Sequence, residues 1–216
     1  MIGHKQAHAH GGEDAVIRWA GLYDVAMRLW WRRGRRWRDG LLGALEPQPG
    51  QRVLDIGSGT GRLAFALADR VVPGGSVDGV DAGSEMVARA QKNNRRRRRP
   101  VSFTTARAQQ LPFADQRFDA VTCTLVLHHV APDHRAEAVA EMHRVLRPGG
   151  RVLIAEFDGV GGAGQTPLAR LHTRHPEHAG ALDLAADLLT AAGFTGVTRG
   201  PTRISGIGQL VAQRAD

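Results

Sequence analysis

The chain has 216 residues, and 42% of them are hydrophobic, which suits a single domain of ordinary size with one buried core. It contains no run of 18 apolar residues, no apolar leader and only one cysteine, Cys123, so we predict a cytoplasmic protein without a membrane span, a signal peptide or an intramolecular disulfide. The net charge of +8 resides in two arginine-rich runs, from Arg28 to Arg38 and from Arg95 to Arg99, because removing their eleven charges leaves 8 − 11 = −3.

The first part of the chain predicts a tail followed by helices. Residues 1–12 are predicted to be a disordered tail, and the histidines within it are interpreted as part of that tail rather than as metal ligands. Apolar residues recur at helical spacing over 13–30, and a second helix is predicted over 35–45. We therefore predict an N-terminal helical cap over 13–46, which ends at the chain-breaking segment PQPG, followed by a core domain over 47–216.

From residue 47 onwards, short β-branched runs alternate with helical segments. Strands are predicted at 52–56, 76–81, 101–105, 118–124, 151–157, 194–199 and 206–213, and helices at 61–71, 84–94, 133–146 and 182–192. Such alternation predicts an α/β fold with a Rossmann-like, doubly wound sheet of seven strands, mostly parallel. The last two strands follow one another without a helix, so they are predicted to form an antiparallel hairpin at one edge of the sheet, with an antiparallel C-terminal strand.

Three local features refine this prediction. Ser84 is expected to be the N-cap of its helix, since serine oxygens accept hydrogen bonds from the first backbone amides of helices. The arginines from Arg95 to Arg99 are expected to form a solvated loop between that helix and the third strand. The segment Pro148-Gly149-Gly150 is expected to close the helix that begins near Asp133.

The motif VLDIGSGTG, residues 53–61, places three glycines where the first strand turns into a helix. Glycine allows positive φ and a close approach of a ligand to the backbone, and open α/β sheets bind ligands at such turns. Asp81 ends the second strand 20 residues after Gly61, where a carboxylate can accept hydrogen bonds from both hydroxyls of a ribose. The pattern therefore predicts a nucleoside-containing cofactor.

The glycine spacing favours one kind of nucleoside cofactor over another. A dinucleotide fold has the spacing G-x-G-x-x-G, whereas this loop reads G-x-G-x-G. Asp55 also precedes the glycines, where its negative charge would oppose a pyrophosphate and favour a cationic ligand such as S-adenosylmethionine. A dehydrogenase is therefore not predicted.

The ordered series VLDIGSGTG, GVDAGSEMVARAQ, LPFADQRFDAV, LHHV and EMHRVLRPGGRVLIAEF resembles class I S-adenosylmethionine-dependent methyltransferases. It looks most like the small-molecule branch, methyltransferase type 11, that includes the C-methyltransferases of menaquinone and ubiquinone biosynthesis. The resemblance covers about residues 17–214, including the segment WAGLYDVAMRLWW, which is similar to the family's entry helix. It implies an enzyme that transfers a methyl group from S-adenosylmethionine to an oxygen, nitrogen or activated carbon of a small molecule.

The resemblance also implies which residues bind the cofactor. The methionine end would be held by the first strand and the glycine loop, at Asp55, Gly57, Ser58, Gly59, Thr60 and Gly61. The ribose would be bound by Asp81, while the adenine and the cofactor as a whole would be contacted by Ala82, Met86, Arg107, Ala108, Thr124 and, from the entry helix, Tyr23. No metal site is predicted.

Two positions depart from the family pattern. Many relatives carry Asp or Asn where this chain has Arg107, and arginine has no acceptor for the adenine amino group. Either the backbone of Ala108 suffices there or adenine binding is weaker. The link after the fifth strand is glycine-rich at 159–164, where quinone-type relatives carry a longer insert, so quinol methylation is not predicted.

The methyl acceptor has to lose a proton in many such reactions, and histidine titrates near neutrality. His128 and His129 follow the fourth strand and are candidate bases, although the same LHH segment also suits a purely structural loop. Glu156, at the end of the fifth strand, either faces the substrate or pairs at the sheet. Cys123 is interpreted as a small buried hydrophobe.

Rival functions remain open from the sequence. The arginines from Arg28 to Arg38 are interleaved with Trp30, Trp31 and Trp37, which predicts an amphipathic helix that buries its tryptophans or, alternatively, contact with anionic lipid or single-stranded nucleic acid. A methyltransferase of RNA or DNA is the second choice, and TLVLHH lacks the Pro-Pro-aromatic motif of amino-methylating DNA enzymes. A binding protein without methyl-transfer activity is the third. A monomer or a homodimer is expected.

Overall fold

A computed structural model describes residues 35–158, 180–202, 204 and 206–216. The predictions for the tail over 1–12, the helix over 13–30, Tyr23 and the link over 159–164 lie outside the described residues. The elements, in chain order, are α1 (Arg35–Leu45), β1 (Arg52–Ile56), α2 (Arg62–Val71), β2 (Ser76–Asp81), α3 (Ser84–Arg97), β3 (Val101–Thr105), β4 (Phe118–Thr124), α4 (Arg135–Val145), β5 (Leu146–Phe157), α5 (Ala181–Ala191), β6 (Phe194–Pro201) and β7 (Ile207–Arg214).

The strands form one seven-stranded sheet in the order β3-β2-β1-β4-β5-β7-β6. Strands β1 to β5 pair in parallel, whereas β7 runs antiparallel to both β5 and β6. This arrangement confirms the predicted fold class, including the antiparallel C-terminal strand. The strand order reverses between β1 and β4, and ligands of doubly wound sheets bind outside the carboxyl ends of the strands at such a switch point.

Helices cover both faces of the sheet. Alternate side chains of β1 point to opposite faces: Val53 packs with α1 and α2, while Leu54 packs with the cluster around α4 and α5. Trp37 of α1 is 3% exposed and belongs to the first of these clusters. For this tryptophan, the structure confirms burial against the sheet. Trp30 and Trp31 lie outside the described residues.

The expectations for α3 were wrong at both ends. Gly83 occupies the N-cap position and Ser84 is the first helical residue, with no side-chain capping hydrogen bond. The helix continues to Arg97, so most of the arginine run is helical rather than a loop, and Arg98 ends it in the left-handed conformation. Arginine is a good helix former, and positive charge in the last turn interacts favourably with the helix dipole, which accounts for the extension.

The predicted helix over 133–146 is also corrected. A short 3-10 turn occupies Pro132–His134, and α4 runs only from Arg135 to Val145. Strand β5 already begins at Leu146, which is fully buried and pairs with Phe118, so the Pro-Gly-Gly segment lies within the strand as an irregularity before Arg151 pairs with Ala120. Burial of Leu146 against β4 outweighs the tendency of proline and glycine to end an element.

Among the described residues, no helix combines the length and the apolar character needed to cross a membrane.

Candidate functional site

The glycine loop joins β1 to α2 in a conformation that depends on glycine. Gly57 has φ of +67°, and a Cβ atom there would lie 2.1 Å from Cγ2 of Val126. Gly61 has φ of +86°, and its Cβ would lie 2.6 Å from the Phe103 ring. Side chains are therefore excluded at both positions by strain and by contact. The first contact also shows that the segment after β4 packs directly against the glycine loop.

Asp81 ends β2 and ties two loops together. Its Oδ2 accepts a hydrogen bond from the backbone N–H of Gly59 at 2.8 Å, and its Oδ1 accepts one from Gly83 at 2.8 Å. Burial raises the pKa of Asp81, and these two backbone hydrogen bonds oppose the rise. Each carboxylate oxygen has a further lone pair, so the group can still accept from two hydroxyls. The loop-tying role was not predicted from the sequence.

Asp55 is 1% exposed and lies in β1 just before the glycine loop. Its Oδ1 accepts a hydrogen bond from the Thr122 hydroxyl at 2.7 Å, while its Oδ2 has no hydrogen-bond partner among the described residues. Burial raises the pKa of Asp55 to about 7; the charge of Asp81 raises it further, whereas the hydrogen bond from Thr122 and a weaker one from the backbone of Ala64 lower it. A buried carboxylate oxygen without a donor is a site for a cationic or hydrogen-bond-donating ligand.

The other predicted cofactor residues lie around the carboxyl ends of β1 to β4. Ser58 and Thr60 are buried in the glycine loop, and the Ser58 hydroxyl has no partner among the described residues. Met86 is buried on the first turn of α3, and Ala82 is exposed before it. Thr124 is half-buried at the last position of β4. The structure therefore brings these residues to one edge of the sheet.

Arg107 and Ala108 follow β3 and differ in exposure. The backbone of Arg107 pairs with Gln110 and the residue as a whole is exposed, whereas Ala108 is 8% exposed and packs in the core. The structure thus places the Arg107 side chain at the surface and Ala108 in the core, and which of the two contacts the adenine stays a prediction.

The segment after Arg107 is held by helix α4, which sequence reasoning did not predict. Glu141 accepts a hydrogen bond from the backbone N–H of Leu111 at 2.7 Å. Arg144 donates to the carbonyl oxygens of Leu111 at 3.1 Å and Phe113 at 2.8 Å, and it pairs with Asp115 at 2.7 Å. The Arg144 guanidinium holds the pKa of Glu141 below its usual range. In the sequence, Glu141 and Arg144 are simply charged side chains on an amphipathic helix, and nothing in that pattern indicates that they bind the segment after Arg107.

The two candidate histidines are in different environments. The side chain of His128 is 4% exposed, and its Nδ1 lies 2.7 Å from Oε2 of Glu156, which is fully buried. His129 is exposed, with its ring centroid 3.9 Å from that of His128. The structure therefore distinguishes His128 as the histidine with a buried carboxylate partner, which the sequence pair alone could not do.

Cys123 is fully buried in β4, and burial raises the pKa of its thiol well above the usual range, as expected for a hydrophobic packing residue. Within the part of the chain that the structure describes, no group of three or more His, Cys, Asp or Glu side chains could hold a metal ion.

Residues 53–150 match a protein family described as a methyltransferase domain. The chain is similar to the demethylmenaquinone methyltransferase of Beutenbergia cavernae, with 44% identity over 124 residues, which is 57% of this chain and 48% of the relative. It is also 37% identical over 126 residues to a ubiquinone/menaquinone biosynthesis C-methyltransferase of Bordetella avium, covering 58% of this chain and 48% of the relative. The chain thus spans about half the length of these curated relatives.

Solved structures support the fold. A SAM-dependent methyltransferase from Aquifex aeolicus superposes with a TM-score of 0.66 and 20% identity, covering 82% of this chain and 88% of the other. The [4+2]-cyclase SpnF superposes with a TM-score of 0.69 and 21% identity, covering 83% of this chain and 81% of the other. Because one of these neighbours is named a cyclase, the fold by itself does not define the reaction.

Proposed function

We propose that this chain, which matches a methyltransferase domain over residues 53–150, is a class I methyltransferase that transfers a methyl group from S-adenosylmethionine to a small-molecule acceptor. The observation that supports the proposal most is the pair of carboxylates at the switch point. Asp55 has a buried oxygen that lacks a hydrogen-bond donor among the described residues, and Asp81 lies beside the glycine loop with lone pairs that can accept further hydrogen bonds.

The residues present fit the cofactor. S-adenosylmethionine supplies a methyl group on a positively charged sulfur and carries a cationic amino group, a ribose and an adenine. The Asp55 carboxylate would neutralise positive charge at the methionine end, where the glycine loop, with Ser58 and Thr60, lets the ligand approach the backbone. Asp81 would accept from the ribose hydroxyls. Met86, Ala82 and Ala108 would hold the adenine, and Thr124 would contact the methionine end.

The protein's main contribution to such a transfer is orientation and exclusion of water, because the methyl donor is already activated. Arg144 and Glu141 support this by holding the segment beside Ala108. His128 is proposed as the base for acceptors that must lose a proton.

The acceptor class comes from the relatives. The short link at 159–164 argued against a quinol acceptor, but two of the relatives are named for demethylmenaquinone and for ubiquinone and menaquinone biosynthesis, so a short-chain demethylmenaquinol is the first acceptor to test. Because the chain covers only about half the length of those relatives, a quinone-type acceptor is proposed for this chain from their names.

Isothermal titration calorimetry with S-adenosylmethionine and S-adenosylhomocysteine tests cofactor binding. We expect both to bind the wild type and Asp81→Ala to lose most of the affinity. Asp78→Ala is the matched control, since Asp78 lies on the same strand and pairs at the surface with Arg117 at 3.0 Å. The proposal fails if the wild type binds neither ligand, or if Asp81→Ala binds them as the wild type does.

A further inference from the structure

The end of α3 and the turn after it carry a dense cluster of positive charge. Residues 86–114 contain eight basic side chains and no acidic one, and five of the eight form the run from Arg95 to Arg99. All five arginines of the run are exposed. Because α3 begins next to Asp81 at the cofactor edge and extends away from it, the run lies at the opposite edge of the sheet and takes no part in the proposed function.

Two arginines of the run are bound to the neighbouring helix α2. Nε of Arg99 pairs with Oδ1 of Asp69 at 2.9 Å, and the guanidinium carbon of Arg97 lies 4.9 Å from the centroid of the Phe65 ring. The other three side chains of the run form no ion pair with any described residue: Arg95, Arg96 and Arg98. Their charge therefore faces solvent without a neutralising acid in the described part of the chain.

Hydrogen bonds hold the run in one backbone conformation. Arg98 has φ of 53°, and its N–H donates to the carbonyl oxygen of Asn94 at 2.7 Å. The Asn94 side chain accepts from the backbone N–H of Arg99 at 3.1 Å and donates to the carbonyl oxygen of Val101 at 2.7 Å. Like charges that are neighbours on a helix repel one another, so these bonds keep the arginines together against that repulsion. A preorganised cluster loses less entropy when it binds a partner.

An exposed apolar turn lies beside the cluster. The turn after α2 and the arginine run precede β2 and β3, which are paired neighbours, and the backbone N–H of Val77 donates to the carbonyl oxygen of Pro100 at 3.0 Å. In that turn Val72 is 40% exposed and is one of two large hydrophobic side chains exposed among the described residues. Arg70, in the last turn of α2, is exposed as well. We call these neighbouring side chains the basic surface: Arg70, Val72, Arg95, Arg96 and Arg98.

The composition of the basic surface distinguishes between two kinds of anionic partner. Clusters of four or more basic side chains are attracted to anionic lipid headgroups, and an apolar side chain among them gains free energy by entering the boundary between headgroups and acyl chains. Single-stranded nucleic acid is instead bound by exposed aromatic side chains on which bases stack. The aromatic side chains of this region, Phe65 and Phe103, are buried. From this surface we infer that the chain binds an anionic lipid bilayer through the end of α3 and the turn after α2.

The bound orientation leaves the cofactor edge free. Strand β2 has six residues, from Ser76 beside the basic surface to Asp81 at the cofactor edge, a distance of about 17 Å at about 3.3 Å per residue. The carboxyl ends of the parallel strands therefore point away from the bilayer. The inference goes beyond the proposed function and does not depend on it.

Flotation of the full chain with lipid vesicles measures the binding. The vesicles contain phosphatidylcholine alone or phosphatidylcholine with about 30% phosphatidylglycerol, which supplies a negative surface potential. We expect the wild type to bind only the anionic vesicles. It should be released when the salt concentration rises from about 0.1 M to about 1 M, because the Debye length falls from about 10 Å to about 3 Å. Equal binding to both kinds of vesicle, or no binding to the anionic ones, would overturn the inference.

The triple variant Arg95→Gln/Arg96→Gln/Arg98→Gln tests the charges of the run. It should bind the anionic vesicles about 100-fold more weakly, since each arginine near an anionic surface contributes about fivefold. Lysine at the same three positions keeps the charge and should bind within about threefold of the wild type. Urea unfolding verifies that both variants fold. Wild-type binding by the glutamine variant would contradict the inference.

The matched control removes the same number of charges elsewhere. Arg147→Gln/Arg151→Gln/Arg199→Gln affects three arginines that are each paired with an acidic residue at the surface. This variant should bind the anionic vesicles within about threefold of the wild type, because paired charges add little to the surface potential. If the two glutamine variants lose binding equally, net charge and not the basic surface is responsible, and the inference is wrong.

Val72→Thr separates lipid from nucleic acid. Threonine keeps the β-branched shape but replaces an apolar methyl group by a hydroxyl, so binding to the anionic vesicles should weaken about fivefold. Unchanged binding of Val72→Thr, or displacement of the wild type from the vesicles by a micromolar single-stranded RNA oligonucleotide, would overturn the assignment to lipid.

Hydrogen exchange with mass spectrometry locates the contact in the wild type, so this result does not depend on the folding of any variant. Anionic vesicles should slow exchange in peptides covering 70–75 and 92–100 and leave the glycine loop at 57–61 unchanged. Protection confined to residues 28–38, the other arginine-rich run, would overturn the inference. None of these measurements uses S-adenosylmethionine, so failure of the proposed function is detected separately by calorimetry.

Discussion

Replacing Asp55 by asparagine should change how the stability of the protein depends on pH. Burial raises the pKa of Asp55 from 3.8 to about 7, so the folded chain holds a proton on this group where the unfolded chain has already lost it. The free energy of unfolding therefore decreases as pH rises from about 4 to about 7, because over that range the folded state binds more protons. Asparagine does not titrate, so the variant lacks this decrease.

The expected magnitude follows from the two pKa values. The full effect of a rise from 3.8 to about 7 is about 4 kcal/mol, and the part that falls between pH 5 and pH 8 is about 2–3 kcal/mol. Burial raises the pKa of Asp81 as well, but that contribution is common to both proteins. The comparison uses the change with pH rather than the absolute stability, because the asparagine amide also introduces a buried donor beside Thr122.

Urea unfolding at pH 5 and at pH 8 measures the effect. The wild type should lose about 2–3 kcal/mol more than Asp55→Asn between the two pH values. Asp78→Asn removes a carboxylate from the next strand, where it pairs with Arg117, and should follow the wild type. Parallel pH dependence in the wild type and Asp55→Asn would refute the argument that burial of this carboxyl governs its titration.

Two further pairs of variants probe the site. Gly57→Ala should destabilise the protein by about 2 kcal/mol or more in urea unfolding, because the added Cβ would clash with Val126. Gly50 also has a positive φ but lies in open space, so Gly50→Ala should cost only about 1 kcal/mol. Equal losses in the two variants would contradict the contact with Val126. Arg144→Ala should weaken S-adenosylhomocysteine binding at least several-fold in calorimetry, because Arg144 anchors the segment beside Ala108. Arg147→Ala removes only a surface ion pair and should leave the affinity unchanged. Similar affinities of the two variants would exclude the anchoring role.

Much of the fold was predictable because it depends on local patterns. The strands of the sheet appear at the expected positions, with differences at their ends, and the antiparallel edge follows from two strands without an intervening helix. The end of α3 was missed because the charge of the arginine run led to the prediction of a solvated loop. The helix instead continues into the run, since positive side chains in the last turn of a helix interact favourably with its dipole. The start of β5 was missed because the prediction took Pro148, Gly149 and Gly150 as the end of a helix, whereas the burial of Leu146 against β4, which only the structure shows, starts the strand before them.

The sequence by itself determined the alternation of strands and helices, the glycine turn and the two acidic residues beside it. Periodicity, positive φ and motif spacing each depend on a few neighbouring residues. Only the tertiary structure decided that Glu156 pairs with His128 rather than His129, and that Asp55 is buried with one oxygen that has no hydrogen-bond donor in the described part of the chain. These contacts join residues 28 or more positions apart: Glu156 on β5 with His128 in the segment after β4, and Asp55 with Thr122 on the paired strands β1 and β4. Their distances and burial are set by sheet register and packing, which no local pattern contains.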